Sequence, residues 1–125
     1  MIAHAGSGWD VEVTDEFGEW WQTLPSEQQE ALTDRVDLLA ERGPDLGRPV
    51  VDCIQSSRHH NMKELRAAQG GALRVLFMFD PRRQAILLLG GDKSGEWAGW
   101  YEWAVPAADA LYDAYLDELK EEGLI

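Results

Sequence analysis

Two apolar segments separated by a short polar turn constrain the fold of this chain more than any other feature. Residues 72–80 (ALRVLFMFD) and 85–90 (AILLLG) are rich in large apolar side chains, which favour β-strands at this length. The residues between them, 80–83 (DPRR), are typical of a turn. The second segment is apolar throughout, as in strands that lie inside a sheet. We therefore expect the two strands to be joined by a hairpin turn at the centre of a sheet.

Patterning along the rest of the chain predicts helices and further strands around this pair. The expected elements are a strand at 9–14, a helix at 16–23 capped by Thr14 or Asp15, a helix from Ser26 to about Arg42, a strand at 61–66, a turn at 69–71 and a final helix. Ser26 and Gln29 fit a capping box, Gly43-Pro44 ends the second helix, and Pro106 suits the first position of the last one. Residues 45–57 are expected to form a loop.

The element order β-α-α-β-β-β-α predicts a small α+β domain. We expect a twisted, mainly antiparallel sheet, with two N-terminal helices and a C-terminal helix packed on one of its faces. A length of 125 residues fits one domain, spanning 1–125, with residues 1–8 as a flexible N-terminus.

Cysteine usage and hydropathy predict a cytoplasmic location. Cys53 is the single cysteine, so no internal disulfide can form, which favours a reducing compartment. The N-terminus has no basic segment followed by an apolar one, so no signal peptide is expected. The longest apolar run, 85–89, is too short to cross a bilayer, and no membrane contact is expected.

The charge distribution is strongly uneven. The formal net charge is -12 at pH 7, yet ten of the eleven Lys and Arg residues lie between Arg35 and Lys93. Residues 48–93 include eight basic and four acidic residues. An acidic chain is not expected to adhere to nucleic acid through its overall field. The basic island instead predicts a local anion site.

Three neighbouring strands can bring four charged side chains to one surface: Glu64, Arg66, Arg74 and Lys93. Alternation along the first strand puts Glu64 and Arg66 on the same face, Arg74 begins the next strand, and Lys93 follows the third. Fixed cations stabilise the charge that develops on a phosphodiester during cleavage. A carboxylate or an imidazole, here Glu64 or His60, can deprotonate a ribose 2′-OH, while a cationic acid protonates the leaving 5′-oxygen. Such chemistry needs no metal or cofactor.

Simpler structural interpretations exist for the same residues. Glu64 and Arg66 can form an exposed salt bridge, which contributes little, and Arg74 and Lys93 can be solvated strand ends. Adjacent histidines on a strand point to opposite faces, so His59-His60 is a poor metal site. One of them can act as a general base, since an unperturbed histidine has a pKa of about 6.5.

The aromatic side chains at 97–103 favour core packing over base stacking. The acidic face of the last helix is either solvated or a docking surface.

Several stretches together resemble a known family: 16–44, 57–66 (SRHHNMKELR), 73–80 (LRVLFMFD) and 87–95 (LLLGGDKSG). Over roughly residues 9–120 the chain is similar to the RelE/HigB superfamily of toxins from type II toxin–antitoxin systems. The similarity is strongest to the phage-derived Gp49-like branch of HigB. It implies an α+β fold and an endoribonuclease that cleaves mRNA, often on the ribosome. It also implies a cognate antitoxin, usually a helix-turn-helix DNA-binding protein.

The resemblance also implies roles for individual residues. Arg74 matches the strand-initial arginine that handles the scissile phosphate, and Lys93 matches a basic residue that stabilises it or acts as the acid. Glu64 and Arg66 match the charged face of the preceding strand. The substrate-binding candidates are Arg58, Lys63, Trp100 and Tyr101, the last two near the position of a nucleotide-stacking aromatic. The alternative is a catalytically inactive, toxin-like or phage accessory protein that binds a partner through the same surface.

Overall fold

The computed structural model describes residues 8–68, 72–92 and 99–125. Their elements are β1 (Asp10–Val13), α1 (Asp15–Gln22), α2 (Ser26–Arg42), a 3-10 turn (Gly43–Asp45), β2 (Val51–Cys53), β3 (Lys63–Ala67), β4 (Leu73–Phe79), β5 (Gln84–Asp92) and α3 (Trp100–Glu121). Most of the expected flexible N-terminus, the expected turn at 69–71 and Lys93 lie outside the described residues. None of the described helices combines the length and apolar character that a membrane span requires.

The five strands form one sheet in the order β1-β5-β4-β3-β2. β1 runs parallel to β5, and the other neighbouring pairs are antiparallel. The expected hairpin of β4 and β5 is confirmed, and its turn is held by Asp80. The carboxylate of Asp80 accepts hydrogen bonds from the backbone N–H groups of Arg82 and Gln84, at 2.8 and 2.9 Å. The mainly antiparallel α+β class is therefore confirmed.

Apolar side chains cover both faces of this sheet. Phe77 and Leu87 belong to the core that includes α1 and α2, whereas Leu76 and Leu88 belong to the core beneath α3. The expectation that all three helices share one face is therefore wrong. Successive residues of a strand point to opposite faces, so strands that are apolar at every position need cover on both sides.

The helix starts differ in part from the prediction. Thr14 caps α1, as expected, by accepting a hydrogen bond from a first-turn N–H. The capping box is not formed, because Pro25 occupies the N-cap position of α2 and Ser26 is already helical. Gln29 instead donates its side-chain amide to the carbonyl of Trp21 at 2.9 Å. This hydrogen bond ties α2 to the end of α1.

Two further predictions are corrected by the structure. The segment expected to be a loop, residues 45–57, contains β2, which pairs with β3 and adds a fifth strand to the four that were expected. The last helix begins at Trp100, so Pro106 lies inside it rather than at its first position. Proline there removes one backbone hydrogen bond from the helix.

Candidate functional site

Charged side chains of β3 and β4 meet on the sheet face that α3 covers. The expected alternation along β3 is confirmed, because Leu65 packs in the opposite core while Glu64 contacts α3. Arg66 lies directly opposite Arg74 in the strand register, so their side chains share this face. Glu64 and Arg74 are only 4% and 6% exposed, and buried charges require charged or hydrogen-bonding partners.

The Glu64 carboxylate is the centre of this group. Its Oε2 accepts two hydrogen bonds from Arg66, from Nε at 3.2 Å and from Nη2 at 3.0 Å. Nη1 of Arg74 lies 3.8 Å from the same oxygen. The other oxygen, Oε1, accepts a hydrogen bond from the hydroxyl of Tyr101. Together with Asp52 these residues form the arginine–glutamate cluster.

Asp52, on β2, is a cluster member that the sequence analysis missed. Its Oδ2 accepts a hydrogen bond from Nη2 of Arg66 at 3.1 Å, and its Oδ1 lies 3.2 Å from Nε of Arg48. The backbone N–H of Cys53 and then the Arg48 guanidinium hold the pKa of Asp52 below its ordinary value. The sequence carries no clear signal for Asp52, because residues 45–57 are expected to form a loop.

Tyr101 reaches the cluster from the first turn of α3. Burial, followed by the hydrogen bond to Glu64, raises the pKa of Tyr101 above its ordinary value of 10.0, so its hydroxyl is a donor at neutral pH. The neighbouring Trp100 is 8% exposed and belongs to the core beneath α3. Its indole lies against Gly91, where an added Cβ would be 2.3 Å from Nε1. Trp100 is therefore a packing residue, whereas Tyr101 contacts the cluster.

The loop that carries Arg58 and the two histidines docks on the distal part of α3. Nη2 of Arg58 and Nε2 of His59 contact the two carboxylate oxygens of Asp113, at 2.5 and 2.9 Å. Asp113 follows Tyr101 by twelve residues, about 18 Å along the helix axis. The structure therefore separates Arg58 and His59 from the arginine–glutamate cluster. His60 is exposed in this loop, not on a strand as assumed.

Lys63 and Lys93 are the remaining candidates. Lys63 is adjacent to Glu64 on β3 and so points to the opposite face, where its Nζ lies 3.9 Å from Sγ of Cys53. The structure does not bring it to the cluster. Lys93 lies outside the described residues. The residue before it, Asp92, pairs with Leu73 at the edge of the β4–β5 ladder.

The cluster has the donors of an anion site. Two guanidinium groups and a phenol surround one carboxylate, and a phosphate oxygen accepts the same charge-assisted hydrogen bonds as a carboxylate oxygen. Arg66 is the more accessible arginine, with 29% of its side chain exposed against 7% for Arg74. In the described part of the chain, no three His, Cys, Asp or Glu side chains converge on a possible metal position.

Comparison with known proteins identifies relatives across most of the chain. The family described as "Phage derived protein Gp49-like" matches residues 19–113. A Mycobacterium tuberculosis protein named as the toxin HigB3 is 52% identical over 97 residues, covering 78% of this chain and 84% of that protein. A second, named as the toxin HigB2, is 40% identical over 116 residues. This alignment covers 91% of the present chain but 57% of HigB2.

Solved structures share the fold at low sequence identity. The RelE–RelB complex from Pyrococcus horikoshii contains a chain with a TM-score of 0.53 and 17% identity, covering 71% of this chain and 99% of that one. A mutant of the E. coli toxin RelE in the free state gives a TM-score of 0.59 at 12% identity, covering 80% and 97%. The chain belongs to the phage-derived Gp49-like family and is a relative of the HigB toxins of toxin–antitoxin systems, with the fold of RelE.

Proposed function

We propose that this toxin is a metal-independent endoribonuclease that cleaves mRNA through attack of a ribose 2′-OH. The arginine–glutamate cluster carries the proposal. It gathers two guanidinium groups and a carboxylate from adjacent strands on one face of the sheet. Family membership supports the same reaction class. We place the reaction in the cytoplasm, where mRNA is found both free and on the ribosome.

In the proposed reaction, Arg66 and Arg74 bind the scissile phosphate. The 2′-oxygen attacks phosphorus while the bond to the 5′-oxygen breaks, which yields a 2′,3′-cyclic phosphate and a 5′-hydroxyl. Negative charge grows on the phosphoryl oxygens in the transition state, and fixed guanidinium groups lower its energy. Lys93 stabilises this charge or donates the proton that the departing 5′-oxygen needs. Its position directly after β5, which pairs with the strand of Arg74, supports that role.

Glu64 is the proposed base. It is hydrogen-bonded to Arg66 and lies close to Arg74, so a phosphate held by both arginines would bring its ribose close to this carboxylate. The Tyr101 hydroxyl already donates to Oε1, and a substrate 2′-OH would replace it there. His60, the other candidate, belongs to a loop whose neighbouring side chains bind the distal part of α3. Glu64 is therefore favoured over His60.

A cognate antitoxin is the proposed protein partner. One structural neighbour is a chain of the RelE–RelB complex from Pyrococcus horikoshii, and the sequence relatives are named as toxins. A small helix-turn-helix DNA-binding protein, encoded beside this chain, is the expected form of that partner.

One observation favours a different class of function, a catalytically inactive interaction module. Arg74 is 6% exposed and lies close to Glu64, while Arg66 is already bound by Asp52 and Glu64. Arginines held in this way can serve the fold alone. In that case the toxin-like surface would bind a partner without cleaving RNA.

RNA cleavage distinguishes the two functions. Purified protein is incubated with mRNA in EDTA, with and without translating ribosomes, beside Lys93→Ala. We expect fragments ending in 2′,3′-cyclic phosphate, at least a hundredfold slower for the variant, which is the usual range for loss of a proton-transfer group. Expression without antitoxin should arrest growth. Intact RNA under both conditions would reject the nuclease in favour of the interaction module.

A further inference from the structure

A shallow groove adjoins the arginine–glutamate cluster at Tyr101. It has a volume of about 200 Å³ and mainly apolar walls. Its lining residues are Ser56, Tyr101, Glu102, Val105 and Pro106, which we call the α3 groove. Tyr101 belongs to both places, because it lines the groove while its hydroxyl bonds to Glu64. A ligand with an anionic group at the cluster could therefore extend an apolar part into the groove.

Pro106 changes the polarity of one groove wall. In an α-helix the N–H of residue 106 would donate to the carbonyl of Glu102, but proline has no N–H. Pro106 lies well inside α3, and both residues of the missing hydrogen bond line the groove. The carbonyl of Glu102, a residue that lines this mainly apolar groove, consequently lacks its helical donor. A ligand that supplies an N–H would satisfy this acceptor.

We propose that the α3 groove binds one nucleobase of the RNA substrate and favours a base with an exocyclic amine. This inference rests on the proposed function, because it takes the phosphate to lie at Arg66 and Arg74. The planar face of the base would pack against the exposed ring of Pro106, while the amine donates to the Glu102 carbonyl. Recognition through a mainly apolar slot with one or two polar groups is typical of small-ligand sites. Single-stranded RNA offers unstacked bases to such slots.

Cytidine and uridine 3′-monophosphates are matched probes for this site. They share the ribose, the phosphate and the ring size, but cytosine carries an amine where uracil carries a carbonyl oxygen. We expect the wild-type protein to bind the cytidine nucleotide about fivefold to tenfold more tightly, the value of one neutral hydrogen bond. Backbone amide resonances of Ser56, Glu102 and Val105 should shift during an NMR titration.

Pro106→Ala tests the role of the carbonyl without threatening the fold. Alanine restores the N–H and is the best helix former, so the Glu102 carbonyl regains its donor. The cytidine preference should fall to about onefold, whereas uridine affinity should stay unchanged. Ser56→Trp should fill the groove and remove the shifts at Glu102 and Val105 for both nucleotides. Ala110→Ser, on an exposed position of α3, is the control and should behave as wild type.

The outcomes separate this inference from the proposed function. Equal affinities for the two nucleotides, or shifts that avoid the groove residues, would overturn the nucleobase site even if the protein cleaves RNA. A cytidine preference that Pro106→Ala abolishes would support the site even if no RNA is cleaved, and would then identify a nucleotide-binding protein without nuclease activity.

Discussion

Arg66 donates two hydrogen bonds to a single carboxylate oxygen of Glu64, from Nε at 3.2 Å and from Nη2 at 3.0 Å. The pair was expected from sequence either as an exposed salt bridge or as part of a functional site. The salt bridge forms, but Glu64 is 4% exposed, so the expectation that the pair is exposed is wrong for Glu64. In a buried pair, loss of one partner leaves the other charge poorly compensated. A substitution at Glu64 should therefore change protein stability, anion binding and RNA cleavage, and each change can be measured independently.

Glu64→Gln should separate catalysis from binding. The amide keeps the size of the side chain but cannot accept the 2′-OH proton, so cleavage should fall about a hundredfold to ten-thousandfold. RNA affinity should rise, because Arg66 and Arg74 lose the carboxylate that competes with phosphate. Loss of the buried charge should lower the free energy of unfolding by about 3 kcal/mol. Cleavage rates, filter binding and urea unfolding measure the three effects.

The matched control for this substitution is Glu41→Gln, at an exposed position of α2, which should change none of these quantities. Cleavage at the wild-type rate combined with tighter RNA binding would show that Glu64 is a counter-ion and not the base.

Arg74→Lys should retain the fold and lose most of the activity. An ammonium group keeps the charge beside Glu64, but it cannot bind two phosphate oxygens in the planar geometry of a guanidinium. We expect cleavage to drop more than about tenfold, the effect of losing one charge-assisted hydrogen bond. Arg74→Ala should in addition lower the free energy of unfolding by about 3–5 kcal/mol, since it breaks a buried ion pair.

Arg42→Lys, at an exposed position near the end of α2, is the control for Arg74→Lys. If Arg74→Lys cleaves RNA at a rate comparable to that of the wild type, Arg74 does not need its guanidinium group for catalysis and is not part of the catalytic site.

The placement of Glu64 and Arg66 could be predicted from sequence because β3 alternates cleanly between the two faces of the sheet. The hairpin of β4 and β5 could also be predicted from sequence, since both strands are long and apolar. Asp52 was not, because β2 has three residues, too few for a period of two to be recognised. β2 is a strand because it pairs with β3, and this tertiary contact cannot be read from the local sequence.

The roles of Trp100 and Tyr101 could not be separated from sequence either. Adjacent aromatics in a helix point about 100° apart, and which of them is buried depends on where the helix starts and what it meets. Pro106 suggested a start six residues too late. The contact that decides the matter is between Trp100 and Gly91, residues of different elements.

Gly91→Ala should disturb the cluster from a distance. An added Cβ would lie 2.3 Å from Nε1 of Trp100, so the indole and the start of α3 must move. Overpacking of this kind costs about 1–3 kcal/mol, and the shift should weaken the hydrogen bond from Tyr101 to Glu64. Thermal unfolding measures the loss of stability, and tryptophan fluorescence reports the displacement of the Trp100 indole.

Gly18→Ala is the opposite control for Gly91→Ala. Among the residues that the structure describes, and apart from the neighbouring backbone of α1, no atom lies within 4 Å of a Cβ at Gly18. Alanine in α1 should stabilise the protein by about 0.5–1 kcal/mol. An unchanged stability of Gly91→Ala would contradict the packing of Trp100 on this strand.

All three tyrosines of the chain should titrate late in the folded protein. Burial is the main cause that raises the pKa of Tyr101, Tyr112 and Tyr115 above the ordinary value of 10.0. A hydrogen bond to Glu64 raises it further for Tyr101, a hydrogen bond to Asp80 for Tyr115, and the charge of Asp80 for Tyr112. A raised pKa in the folded state favours the neutral phenol. The stability that these groups contribute is therefore complete below pH 10 and is lost as the pH rises through their folded pKa values.

Tyrosinate absorbance measured against pH tests this expectation. In denaturant the three phenols should ionise together near pH 10, whereas in buffer their ionisation should begin at higher pH and coincide with loss of the far-UV circular dichroism signal. Tyr101→Phe should remove one third of the tyrosinate amplitude. An ionisation step near pH 10 in the folded wild-type protein that is absent from Tyr101→Phe would contradict this expectation. It would show that Glu64 does not hold the Tyr101 phenol in solution.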